Sequence, residues 1–105
     1  MNTEKFFYGE REIILDGRKI TFEYFLIRRF EDINAFYGIG INQKVDSKDT
    51  DYEEITDISD NYSTIRRVLF QVIEHKVSPT NLMYVVDELY EEPEIEVKDK
   101  VYLAS

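Results

Sequence analysis

One hundred and five residues carry 22 acidic and 13 basic side chains, a net charge of −9, with 43% hydrophobic and 14% aromatic content and no cysteine. That length supports one core rather than two, and so aromatic a chain is not intrinsically disordered. The missing cysteines exclude disulfides, thiolate nucleophiles and Cys-based zinc sites, and they fit a reducing cytoplasm, where the protein is expected.

Residues 1–8 place Glu4 and Lys5 before three aromatics, Phe6, Phe7 and Tyr8. They form no apolar h-region, so no export is expected. No apolar run approaches the roughly 20 residues that span a bilayer, so no membrane association is expected either. Regular structure is predicted from Glu12. Two strands, Glu12–Leu15 and Lys19–Phe30, flank Asp16-Gly17, a dipeptide that supplies the positive φ angles of a type I′ hairpin turn. A two-residue loop sets Ile13 opposite Ile20 and lines one face with Ile20, Phe22, Tyr24 and Leu26. Phe25 and Ile27 make the far half of this strand apolar on the other face as well, and something must cover them.

A third strand, Ala35–Lys44, points Tyr37, Ile39 and Ile41 inward and Gly38 and Gly40 outward. Glycine weakens a strand unless something approaches closely or a bulge needs it, so either Phe25 or a partner lies across these glycines, or one of them is bulged. Val45–Asp51 reads as a polar turn, and Tyr52–Ile58 as a short fourth strand centred on Ile55. Ser59, Asp60 and Asn61 are successive N-cap candidates for a helix whose stripe is Ile65, Val68, Leu69, Val72 and Ile73. Val77-Ser78-Pro79 starts a second helix: Ser78 caps, Pro79 takes the first helical position and Val77 staples to Leu82. Its stripe is Leu82, Val85, Val86 and Leu89, and Pro93 ends it.

These elements predict an α+β fold: an antiparallel four-stranded meander with two C-terminal helices packed on one face. A single domain spans 1–105, with an ordered core over about 11–92 and a tail, 94–105, that adds an edge strand or stays mobile.

Candidate chemistry is sparse. The one histidine, His75, falls in the last turn of the first helix, where a protonated imidazole suits the helix dipole; no positioned nucleophile or carboxylate marks it as catalytic. The acidic segment from Asp46 to Asp60 invites a calcium loop. Counting from Asp49, however, puts Glu54 where an EF-hand needs glycine and Asp60 where it needs glutamate. The glycines, at 9, 17, 38 and 40, form no phosphate-cradling motif. No catalytic residue, cofactor or metal ligand is therefore assigned. Arg28, Arg29, Arg66 and Arg67 are the dense basic points, and pairing with the surplus of carboxylates is expected of them. The net charge argues against direct binding to nucleic acid.

Phe36-Tyr37-Gly38-Ile39, Ile58-Ser59, Val77-Ser78-Pro79 with Leu82, and Val85-Val86-Asp87-Glu88-Leu89 together resemble a domain-of-unknown-function family of short acidic proteins from Firmicutes. The similarity covers about Ile20 to Glu92. Val77, Asn81 and Tyr84 stand where that family has leucine, histidine and aspartate. The resemblance implies a cytoplasmic bacterial protein and supplies no substrate, cofactor or partner.

The expectation is a non-enzymatic protein-interaction or regulatory module. Its contact surface is placed at Phe25, Ile27, Gly38 and Gly40, with a homodimer through that patch as one form of the contact. Glu88, Glu91 and Glu92, at the negative end of the second helix, offer an acidic docking face. The alternative is an acidic mimic of nucleic acid that inhibits a basic DNA- or RNA-binding protein.

Overall fold

A computed structural model describes residues 2–89. Four strands, β1 (Thr3–Leu15), β2 (Arg18–Glu31), β3 (Asn34–Val45) and β4 (Lys48–Ser59), pair antiparallel in the order β1-β2-β3-β4, a meander. Helix α1 (Tyr62–Glu74) follows, and a 3₁₀ turn over Pro79–Asn81 leads into a second helix, α2, described over 82–89. The fold is α+β.

Aspartate opens all three hairpin turns in the left-handed region, with φ of 51° at Asp16, 55° at Asp32 and 51° at Asp46. Its short polar side chain tolerates that conformation better than most. At the first turn Gly17 supplies the second positive angle and Ile13 pairs with Ile20, as the dipeptide predicts. The third turn is tighter than the predicted polar loop over Val45–Asp51, because only Asp46 and Ser47 lie outside the ladder. The Asp46 carboxylate accepts from the Lys19 backbone N–H and from Arg18 Nε, both at 3.1 Å, and ties the turn to the start of β2. Those two bonds, the Lys19 amide foremost, hold its carboxyl below the usual carboxylate range.

The larger correction concerns β1, which begins at Thr3 instead of Glu12, so regular structure also starts well before residue 11. Its ladder runs from Thr3↔Arg29 to Phe7↔Phe25, skips Tyr8, and resumes at Gly9↔Tyr24. A bulge at Tyr8 breaks the two-residue alternation on which a strand reading of 3–11 depends.

A bulge and a close approach both occur, one at each β3 glycine, but the side chain that approaches is neither Phe25 nor a partner's. At Gly38 the β3–β4 register shifts, and a Cβ there would collide with the Ile55 carbonyl oxygen. At Gly40 the close neighbour is the Tyr52 ring, whose hydroxyl would lie 2.6 Å from a Cβ; Phe25, the expected neighbour, pairs with Gly40 in the ladder without filling that space.

The core lies between one sheet face and the helices. Tyr24, Ile39 and Ile41 pack beneath Ile65, Val68, Leu69 and Val72 of α1 and Leu82 and Val86 of α2. Asn61 caps α1, its Oδ1 accepting from the Thr64 N–H at 3.0 Å, while Ser59 Oγ accepts from the Asn61 N–H. The helix ends in a Schellman arrangement: Lys76 sits at φ 53°, its N–H donates to the Ile73 carbonyl, and the Val77 N–H donates to the Val72 carbonyl. Val72 and Val77 are both buried there, and His75 is the C-cap. The Ser78 hydroxyl makes no capping bond. The next turn is 3₁₀, so the Asn81 N–H, a donor that an N-cap oxygen takes in an α-helix, bonds to the Ser78 carbonyl instead. The expected stop at Pro93 and the tail from 94 lie outside the described residues.

Candidate interaction surface

The sheet face opposite the helices carries the predicted patch. Ile27 is 2% exposed, Gly38 and Gly40 are buried, and Phe25 is half-buried. Three side chains of this chain cover the patch. Phe7 meets Phe25 edge to face at 5.8 Å. The Lys5 ammonium lies 4.8 Å from the Phe25 ring centre and 4.2 Å from that of Tyr52, and donates to the Tyr52 hydroxyl at 3.1 Å. Tyr52 in turn donates to Glu54 at 2.6 Å, and burial together with that carboxylate pushes its phenol pKa upward. A lysine stem over aromatic rings hides apolar surface while its charge stays wet.

Of the acidic trio, Glu88 is exposed on α2, and Glu91 and Glu92 lie outside the described residues. The acidic segment from Asp49 to Asp57 runs along β4, where successive side chains alternate between faces. Among the described residues no group of three or more His, Cys, Asp or Glu side chains is placed to hold a metal ion.

Two of the four arginines pair as charge balance predicts. Arg28 donates twice to Glu4 Oε1, at 2.9 and 2.6 Å, between the rings of Phe6 and Phe30. Arg29 reaches Asp57 at 2.9 Å and lies over Phe36. Arg66 and Arg67 form no ion pair among the described residues, and both are exposed on α1.

Beside them lies a surface that the sequence reading did not find. Tyr62, Arg66 and Phe70 recur at four-residue spacing along α1 and so share one face. Tyr8, swung toward the helix by its bulge, shares a 2.5 Å hydrogen bond with the Tyr62 hydroxyl. That bond first, and burial second, raise the Tyr8 pKa. Tyr8, Tyr62, Arg66, Phe70 and Ile73 enclose a concavity of roughly 200 Å³ at the β1 edge of the sheet. Phe70 is 62% exposed and Phe7, on the same strand as Tyr8, 55%. The signals were present: an aromatic triplet at 6–8, and two aromatics on α1 outside its apolar stripe. They became informative only once β1 was known to reach α1.

Among the described residues no helix is long and apolar enough to cross a membrane. No curated protein and no solved structure matches the chain. One family profile does, over residues 4–92, which takes in β1 as well as the Ile20–Glu92 stretch that carried the resemblance. With all of the meander but Thr3, and both helices as described, inside that match, the chain belongs to the Family of unknown function (DUF6514).

Proposed function

We propose that this protein is a non-enzymatic protein-interaction module of the cytoplasm, and that its contact surface is the edge formed by β1 and the outer face of α1. The observation that carries this reading is the coincidence, on one edge, of exposed Phe70, the Tyr8–Tyr62 concavity, and two arginines that form no ion pair among the described residues of an acidic chain. Aromatic and arginine side chains are the groups that anchor protein interfaces: the rings bury large area at low rotamer cost, and the guanidinium offers a planar stacking face with five hydrogen-bond donors. The patch at Phe25 and Ile27, where the sequence reading put the contact, is filled by Lys5, Phe7 and Tyr52 and leaves little to contact.

Affinity capture followed by mass spectrometry tests this, comparing wild type with Arg66→Glu/Phe70→Ser. Both positions are exposed, so the double variant keeps the fold. Partners held by wild type and lost from the variant support the reading, with Glu53→Gln on β4 as the control that retains them. Identical partner lists from all three proteins overturn it.

A further inference from the structure

We infer that the occupant of this edge is a second copy of the chain, joined β1 to β1 in an antiparallel pair about a two-fold axis between Phe7 and Tyr8. The inference rests on the edge being a contact surface and adds the identity of the partner. Among the described residues β1 is one of two open edges of the sheet, and the two differ in charge. β4 carries Asp49, Asp51, Glu53, Glu54 and Asp57 against one Lys48, so two copies repel along it. β1 is self-complementary. In the proposed register Glu4 faces Arg11, Lys5 faces Glu10, Phe6 faces Gly9 and Thr3 faces Glu12 of the second copy.

Such a register needs paired residues to share a face, and in an uninterrupted strand these pairs, an odd number of residues apart, would not. The bulge at Tyr8 corrects the parity. Glu4 and Arg11 stand opposite Arg28 and Phe22 of β2, both on the helix side, while Lys5 and Glu10 stand opposite Ile27 and Glu23, both on the other side. The charges also keep capacity for a further partner, Lys5 having spent one of its three N–H donors on the Tyr52 hydroxyl. Both bonds from Arg28 fall on one Glu4 oxygen, and Arg11 uses only its Nε, toward the Ile73 carbonyl at 3.3 Å. Glu10 has a like charge, Glu23, directly across the ladder, an unfavourable pair that a lysine on its other side relieves. An isologous pair closes on itself and buries both open β1 edges, whereas β1 on β4 would propagate as a filament.

Sedimentation equilibrium of the full chain at high micromolar concentration tests this, with circular dichroism confirming that each variant folds. Wild type is expected at twice the monomer mass. Glu10→Lys alone and Lys5→Glu alone each set like charges opposite one another twice and are expected as monomers. An equal mixture of the two makes every contact attractive and is expected to return to the dimer mass. Should Lys5→Glu fail to fold, Thr3→Cys mixed with Glu12→Cys is expected to form a disulfide-linked heterodimer under mild oxidation, in a chain that otherwise has no cysteine. A monomeric wild type, or a Glu10→Lys dimer as stable as wild type, overturns the inference. If that monomer still captures partners through Arg66 and Phe70, the second copy is refuted and the contact surface stands; if it captures none, both fall.

Discussion

Tyr24→Phe isolates the one buried side-chain hydrogen bond that, among the described residues, ties the sheet to the segment between the helices. Tyr24 is fully buried in the core, and its hydroxyl donates at 2.9 Å to the carbonyl of Val77, itself buried just beyond the end of α1. Phenylalanine preserves the ring and its packing against Phe22, so what is lost is the bond and the pairing of a carbonyl that water does not reach. Leaving such an acceptor unpaired costs about 1–3 kcal/mol. With a urea slope of about 1.5 kcal/mol/M for a chain of this size, the unfolding midpoint should fall by roughly 0.7–2 M at unchanged slope. Tyr84→Phe, which removes a hydroxyl from an exposed position on α2, should leave the midpoint in place. A Tyr24→Phe midpoint indistinguishable from wild type would refute the idea that this bond couples the layers.

Gly38→Ala should destabilise the fold by about 1–3 kcal/mol, because its Cβ meets the β4 backbone at the Ile55 carbonyl rather than a side chain that can turn aside; thermal unfolding measures it, and a neutral substitution would show that the β3–β4 bulge rearranges freely. Stability should also fall in alkali. Burial raises the folded-state pKa of Tyr24 above its unfolded value of roughly 10, so its contribution is complete below that pH and is lost above it, at about 1.4 kcal/mol per pH unit. Urea midpoints measured from pH 8 to 11 should therefore stay level to about 10 and then drop, and the drop should shrink in Tyr24→Phe.

The elements legible in the sequence are those whose signals are local. Asp16-Gly17 predicts its turn because few other dipeptides adopt two positive φ angles cheaply, and Ile13 opposite Ile20 follows from it. The α1 stripe is legible because a 3.6-residue period over 13 residues has no strand alternative, and all four of its central apolar residues are fully buried. The two glycines of β3 announce a close approach or a bulge, although nothing local says that backbone closes on one and Tyr52 on the other.

What tertiary structure alone decided is the N-terminal half of β1 and, with it, the edge. A bulge removes the periodicity by which a strand is recognised, so 3–11 carries no pattern of its own; its place is set by the ladder to β2, from Thr3↔Arg29 onward. The same ladder lays Lys5 over Phe25 and Tyr52 and turns Tyr8 to Tyr62, more than fifty residues away in sequence. Composition and period determine which residues are apolar and which face each helix buries. They do not determine which side chains end up beside one another across a sheet, and the covered patch at Ile27 and the open edge at Phe70 differ in just that respect.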